Sequence, residues 1–139
     1  MKLDRTIFKA YDIRGVYPQQ INVEVVKATI PAILKALGLK NPPAGRQGVK
    51  TLIVSHDARL SGPELYSACI GALEQEKGVR VIRAGLLTTP MLYFLVNKKQ
   101  ADGGIMVTAS HNPKEYNGLK VVREHAIPVS GMEVLKYIK

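Results

Sequence analysis

Apolar residues recur along the chain with two alternating periods, one helical and one extended. Between residues 23 and 37 they fall at helical spacing, with Asn22 as a candidate N-cap and Gly38 as the stop. Pro31 lies inside this pattern and is expected to kink the helix or divide it in two, because it removes an internal hydrogen bond. The following segment, 40–48, has no periodicity and predicts a mobile surface loop.

Beyond this loop, strands and helices alternate to the end of the chain. Extended runs predict strands at residues 7–14, 51–55, 79–84, 103–108 and 118–122. Capping boxes that begin at Ser61 and Ser130, and the pair Thr89-Pro90, each predict the start of a helix. The alternation predicts an α/β fold, a three-layer αβα sandwich with a mixed, mostly parallel sheet. Asn117-Gly118 is typical of a hairpin turn and predicts one antiparallel strand.

Composition limits the class of protein. The 139 residues suffice for one domain with its own core, and the apolar fraction of 46% is ordinary for a globular chain. No apolar run reaches the length of a membrane span, and the N-terminus lacks a signal-peptide pattern. Cys69 is the only cysteine, which excludes an internal disulfide and favours a buried thiol. We therefore expect a cytoplasmic protein that does not act at a membrane.

The charge is the one unusual quantity, with a formal net charge of +9 at pH 7. A basic balance favours anionic partners, either nucleic acid or small phosphates. The basic residues are dispersed, and no basic helix is interleaved with aromatic residues. We therefore expect no nucleic-acid partner, although a basic nucleic-acid-binding module remains an alternative.

The richest chemistry lies in the serine loop, residues 108–113, which follows the apolar run 104–107. Asn112 and Pro113 restrict this loop, so the Ser110 hydroxyl is exposed and yet held in position. The alternative to a reactive serine is that these residues only form a turn. A serine hydrolase is another, but neighbouring Ser and His residues in an extended segment point to opposite faces. Lys120 follows in the next strand, so a hydroxyl, an imidazole and an ammonium group are expected to converge on one anion.

Three motifs together resemble one family, the α-D-phosphohexomutases. Residues 108–121 resemble its phosphoserine loop, residues 8–15 its opening motif, and residues 54–65 its first strand-to-helix loop. The opening motif Ala-Tyr-Asp-Ile-Arg-Gly is similar to that of the phosphomannomutase/phosphoglucomutase branch, with a phosphoglucosamine mutase domain as the alternative. Ser55 and His56 depart from the family pattern, which more often has Gly and a basic residue there.

The resemblance implies a reaction. Ser110 would be phosphorylated in the resting enzyme and would give its phosphoryl group to a hexose monophosphate. The hexose 1,6-bisphosphate would then reorient and return its other phosphate to Ser110, which interconverts hexose 1-phosphate and hexose 6-phosphate. Mg²⁺ would bind Ser110 through its phosphate, hexose 1,6-bisphosphate would be the activator, and mannose or glucose phosphates would be the substrates.

The resemblance also implies the domain organisation. Residues 1–139 would form the single N-terminal phosphoserine-bearing domain, and three further domains would supply the acidic metal loop and the sugar specificity. The predicted last helix begins with a capping box at Ser130 but lasts only about two turns, so we expect a fragment cut near that helix. The isolated domain is then expected to be inactive.

Site residues are assigned from the same motifs. In open α/β sheets ligands bind beyond the carboxyl ends of strands, so Arg14, the 57–61 loop and Ser110 are expected to share one rim. The resemblance implies that Lys120 contacts phosphate or moves a proton, and that His111 steadies the loop. Arg14 suits bidentate phosphate binding, against a structural salt bridge. The expected substrate or phosphate contacts also include Tyr11, whose alternative is a core position, and Asn112. We expect Asp57 and Arg59 to pin their own loop.

Overall fold

The computed structural model describes residues 1–40 and 48–139. Its regular elements, in chain order, are β1 (Ile13–Val16), α1 (Val23–Ala36), β2 (Lys50–His56), α2 (Gly62–Glu74), β3 (Val79–Leu86), α3 (Thr89–Lys98), β4 (Gly103–Val107), β5 (Tyr116–Arg123), β6 (Pro128–Val129) and α4 (Gly131–Leu135). Short 3-10 segments precede β1 and follow β5.

Six strands of the described residues form one mixed sheet with the order β1-β5-β4-β2-β3, and β6 also pairs with β5. β2 is parallel to β3 and β4, whereas β5 is antiparallel to β1, β4 and β6. Five of these strands therefore run in one direction and β5 runs in the other. The predicted mixed, mostly parallel sheet with one antiparallel strand is confirmed.

Helices cover both faces of this sheet, which gives the predicted three layers. On one face α1, α2 and α4 contribute to a core that includes Leu52 and Val54 of β2. On the other face Ile53 lies in a second core with Leu92 and Val96 of α3. Successive residues of β2 thus point to opposite faces, and both faces are buried, as expected for a central strand between helical layers.

The first strand is shorter than predicted. Residues 7–14 were expected to be extended, but Ile7 lies in a 3-10 segment and β1 begins only at Ile13. The N–H of Lys9 donates to the carbonyl of Asp12 at 2.7 Å, which closes a tight turn and sets Phe8 opposite Ile13. Arg14 therefore lies within β1, and the prediction that it ends a strand is wrong. It still lies level with the rim, because its partner Gly118 accepts from the N–H of Thr108 directly after β4.

The predicted hairpin turn at Asn117-Gly118 is also wrong, because both residues belong to β5. Gly118 lies opposite Arg14 of β1, and a Cβ on it would come within 1.9 Å of the carbonyl oxygen of Ile13. Gly is therefore required by a close approach of two backbones. The residues between β4 and β5 make the reversal instead, and they include the serine loop.

Helix starts follow the sequence signals with one exception. Asn22 caps α1 by accepting from the N–H of Val25, and α1 continues as one helix through Pro31. Pro31 therefore does not divide the helix. Residues 41–47, most of the predicted loop 40–48, lie outside the described residues.

The capping box predicted at Ser130 is confirmed, since its hydroxyl accepts from the N–H of Glu133 and the Glu133 carboxylate accepts from the N–H of Ser130. The box predicted at Ser61 does not form. The Ser61 hydroxyl instead accepts from the buried Asn117 side chain at 2.7 Å, and Glu64 accepts from the hydroxyl of Tyr17.

Candidate functional site

Ser110 is exposed at the turn that follows β4, and its backbone adopts a left-handed conformation with φ of 50°. This region is unfavourable for a residue with a side chain, so surrounding contacts must hold it. The N–H of Ser110 donates to the hydroxyl oxygen of Thr108 at 3.0 Å. The reactive hydroxyl predicted from the sequence is thus accessible and lies on a constrained backbone.

Thr108 connects the serine loop to the loop after β2. It is buried, and its hydroxyl donates to Oδ2 of Asp57 at 2.7 Å. Since the hydroxyl proton points to the carboxylate, its lone pairs face the N–H of Ser110. Sequence reasoning missed Thr108. Its only signal is a hydroxyl residue two positions before the reactive serine.

Arg59 crosses from the β2–α2 loop to the serine loop. Its two Nη atoms donate to four backbone carbonyls at 2.7–3.0 Å, those of Ser110, Asn112, Pro113 and Tyr116. Asp57 lies 3.5 Å from its Nε, and the Arg59 side chain is only 12% exposed. The expectation that Arg59 pins its own loop is too narrow, because Arg59 fixes the path of the loop that carries Ser110.

Arg14 forms a salt bridge with Asp12, which is the structural alternative to phosphate binding. Its Nη2 donates to Oδ2 of the buried Asp12. Its Nε is buried and makes no hydrogen bond with any described residue. The Arg14 side chain stays 25% exposed, which leaves part of the guanidinium accessible. Burial, with a smaller contribution from the charge of Asp12, raises the pKa of Tyr93 on α3.

An open cavity of about 510 Å³, here called the arginine cavity, joins the opening motif to the serine loop. Two cationic side chains, Lys9 and Arg14, line it beside hydrogen-bonding groups. The full lining is Lys9, Tyr11, Asp12, Arg14, Gln20, Asn112 and Tyr116. The structure thus brings together three of the predicted site residues, Tyr11, Arg14 and Asn112.

Tyr11, His111 and Lys120 take different positions. Tyr11 is 80% exposed, so its alternative as a core residue is wrong. His111 is exposed on the serine loop. Lys120 is half-buried in the middle of β5, opposite Met106 of β4. Among the described residues no hydrogen bond or ion pair joins Lys120 to Ser110 or His111, and the convergence of the three groups on one anion stays a prediction.

A second cavity of about 890 Å³, here called the tyrosine cavity, is also lined by Asn112. Its lining includes Arg59, Ser61, Tyr17 and Glu64. The hydrogen bond from the Tyr17 hydroxyl to Glu64 is the main reason that the pKa of Tyr17 is raised. Sequence reasoning missed this pair, because Glu64 was assigned to a helix cap.

The residues that depart from the family pattern fit β2 without strain. The Ser55 hydroxyl is buried and hydrogen-bonds to the sulfur of Met106, and His56 Nδ1 lies 2.8 Å from the carbonyl oxygen of Asp57. Neither residue has a positive φ. The backbone path of the β2–α2 loop therefore does not depend on a glycine at position 55.

The described residues offer no preformed metal site. No group of three or more His, Cys, Asp or Glu side chains comes together in them. Two carboxylates near the candidate site are already engaged, Asp57 by Thr108 and Arg59, and Asp12 by Arg14. Within residues 1–40 and 48–139, no helix is both long enough and apolar enough to cross a membrane.

Comparison with known proteins places this geometry in a family. Residues 5–137 match the family model for phosphoglucomutase/phosphomannomutase, alpha/beta/alpha domain I. A protein from Xanthomonas campestris named as phosphohexose mutases is 42% identical over 88% of this chain and 25% of its own length. The phosphomannomutase of Escherichia coli is 41% identical over 91% of this chain and 25% of its own length. The chain thus spans about a quarter of these relatives.

A solved structure agrees with the sequence relatives. The crystal structure of a phosphoglucomutase/phosphomannomutase family protein from Burkholderia thailandensis has a TM-score of 0.80 to this chain, at 30% sequence identity. The match covers 99% of this chain and 30% of the other. The chain belongs to the phosphoglucomutase/phosphomannomutase family and has the fold of its α/β/α domain I.

Proposed function

We propose that this chain is the phosphoserine-carrying domain of a phosphomannomutase/phosphoglucomutase. The single observation that carries the proposal is the setting of Ser110. Its hydroxyl is exposed, on a backbone fixed at φ of 50°, in a chain of a family whose relatives are named as hexose phosphate mutases. A nucleophile that gives and takes back a phosphoryl group needs both access and a fixed position.

Phosphoryl transfer would give each side chain near Ser110 a separate role. Ser110 Oγ carries the phosphoryl group, gives it to a free hydroxyl of mannose or glucose 1-phosphate or 6-phosphate, and takes back the other phosphate of the 1,6-bisphosphate. Arg14 and Lys9 present cationic groups to the arginine cavity, where they oppose phosphate charge. Tyr11 and Asn112 add hydrogen-bonding groups there.

The roles of His111 and Lys120 rest on the family resemblance. His111 is adjacent to Ser110 and exposed, and it is proposed to steady the phosphoserine loop. Lys120 is proposed to contact phosphate or move a proton. Its half-buried position in β5 means that its ammonium group must extend from the sheet towards the loop to do so.

Mg²⁺ is proposed as the cofactor, bound to Ser110 through its phosphate. The described residues provide no carboxylate cluster for it, and Asp57 and Asp12 are engaged elsewhere. The remaining ligands must therefore come from outside these residues.

We further propose that three more domains complete the enzyme, since the chain covers only a quarter of its relatives' length. The 139-residue chain alone is then expected to show no mutase turnover. Measurable conversion of mannose or glucose 1-phosphate by the purified chain would contradict this part of the proposal. The cytoplasm is proposed as the location.

Intact-mass analysis of the parent enzyme tests the phosphoserine assignment. After treatment with glucose 1,6-bisphosphate and Mg²⁺, we expect one phosphoryl group on the wild type and none on Ser110→Ala. Thr89→Ala is the matched control, since Thr89 opens α3 and lies in neither cavity that borders the serine loop. A phosphoryl group that persists on the Ser110→Ala protein would contradict the assignment.

A further inference from the structure

We propose that Arg59, acting with Asp57 and Thr108, is a positioning residue that holds Ser110 in its left-handed backbone conformation. The inference rests on the proposed function for its catalytic consequence. Its structural part concerns only the backbone of Ser110. The left-handed φ of 50° is unfavourable for serine, and the energy that maintains it must come from contacts made by the loop.

The first contact is a relay of two hydrogen bonds. The carboxylate of Asp57 accepts from the Thr108 hydroxyl at 2.7 Å, and the same hydroxyl accepts from the N–H of Ser110 at 3.0 Å. The N–H of Asp57 is itself fixed, because it donates to the carbonyl of Val107 at the end of β4. The relay therefore ties the N–H of Ser110 to the sheet.

The second contact is the clamp that Arg59 places on the carbonyl side of the same residue. All four Nη hydrogens are committed, one to each of the carbonyls of Ser110, Asn112, Pro113 and Tyr116. The Nε is buried beside Asp57. The terminal nitrogens of Arg59 therefore have no hydrogen left to bind a phosphate. Arg59 differs in this respect from Arg14, which is partly exposed and is proposed to bind phosphate.

The clamp also orients the peptide after Ser110. In a planar trans peptide the N–H points opposite to the preceding carbonyl. Since the carbonyl of Ser110 points to Arg59, the N–H of His111 points away from Arg59. Within the described residues this N–H has no acceptor. The clamp thus leaves a free donor next to the hydroxyl that is proposed to carry phosphate.

Lysine cannot replace this clamp. Arg59→Lys keeps the positive charge, but one ammonium group has three N–H donors and no planar fork with which to reach four carbonyls. If Arg59 acted only through its charge, the lysine variant would still hold Ser110 in its left-handed conformation. If Arg59 acts through the geometry of its guanidinium group, the lysine variant loses that conformation.

Two variants test the inference, and the dispersion of the amide spectrum shows whether each variant is folded. Thr108→Val keeps the shape of the side chain and removes both hydrogen bonds of the relay, whereas Thr108→Ser keeps both and serves as the control. Arg59→Lys tests the clamp. In isotopically labelled 139-residue chain, a positive φ gives Ser110 a strong intraresidue NOE between its amide proton and Hα. We expect this NOE in the wild type and Thr108→Ser, and its loss in Thr108→Val and Arg59→Lys, with the rest of the amide spectrum still dispersed.

The catalytic consequence is measured in the parent enzyme. We expect the rate of phosphoryl transfer to Ser110 at saturating glucose 1,6-bisphosphate to fall about 100-fold in Thr108→Val and Arg59→Lys, as for a misplaced reacting group. The half-saturating concentration and the final extent of labelling should be unchanged, whereas partial unfolding would lower the extent. Persistence of the NOE in both variants would overturn the inference. If the wild type accepts no phosphoryl group, the proposed function is wrong. The NOE measurement still tests whether Arg59 and Thr108 hold the backbone of Ser110.

Discussion

Gly118 lies where the backbones of β1 and β5 approach most closely. The nearest atoms to a Cβ at this position are backbone atoms of Ile13 and Arg14, at 1.9–3.0 Å, and these cannot move without separating the two strands. The same pairing fixes Arg14 beside the arginine cavity. A single missing methyl group therefore determines where one of the proposed phosphate-binding residues lies.

We expect Gly118→Ala to destabilise the domain by on the order of 4 kcal/mol or more, since it forces apart a buried strand pair. Gly71→Ala is the matched control. Gly71 lies inside α2, and apart from its own helix backbone no atom comes within 4 Å of the position of a Cβ, so alanine should stabilise the helix by about 0.5–1 kcal/mol. Urea unfolding followed by circular dichroism measures both. A cost below about 1 kcal/mol for Gly118→Ala would show that β1 pairs differently.

Residue types alone do not reveal such roles. The sequence pair Asn117-Gly118 is a strong turn signal, but the pairing of β5 with strands on both sides extends the chain there. Likewise, the role of Arg59 depends on carbonyls that lie more than fifty positions away in the sequence. By contrast, the exposure of Ser110 is predicted from its local motif and is present in the structure.

At the scale of elements, the helix signals were reliable where the cap is purely local. Asn22 and Ser130 both accept from a backbone N–H three residues later, as their sequence motifs predict. The motif that begins at Ser61 is the same, but tertiary contacts engage both of its polar side chains. Asn117 donates to Ser61, and Tyr17 donates to Glu64. The length of β1 was mispredicted for a similar reason, since a turn closed by Lys9 and Asp12 replaces its first half.

We expect Ser130→Ala to cost about 1 kcal/mol, because it removes the hydroxyl that caps α4. Ser130→Asp, which supplies another capping oxygen, should retain most of the stability. Thermal or urea unfolding of the three proteins provides the measurement. Equal stability of the alanine variant and the wild type would show that α4 contributes nothing to the cooperative unit.

At the scale of the whole molecule, the sheet brings sequence-distant motifs to one place. β2 and β4 are parallel neighbours, so the loops that follow them lie side by side and Arg59 reaches the serine loop. The opening motif joins them through the arginine cavity, which Asn112 also lines. The three motifs read from the sequence therefore share one region, although Arg14 reaches it from within β1. The sequence could predict the αβα layers from periodicity, but not the two cavities, which form only when the loops pack.

The central claim is that Ser110 transfers phosphate to the sugar and takes it back. The most direct test is a single-turnover chase of the parent enzyme carrying radiolabelled phosphate on Ser110, mixed with unlabelled glucose 1-phosphate. We predict that the label leaves the protein and appears first in glucose 1,6-bisphosphate, then in glucose 6-phosphate. Label that stays on the protein, or leaves only as inorganic phosphate, while unlabelled glucose 6-phosphate accumulates, would contradict the account.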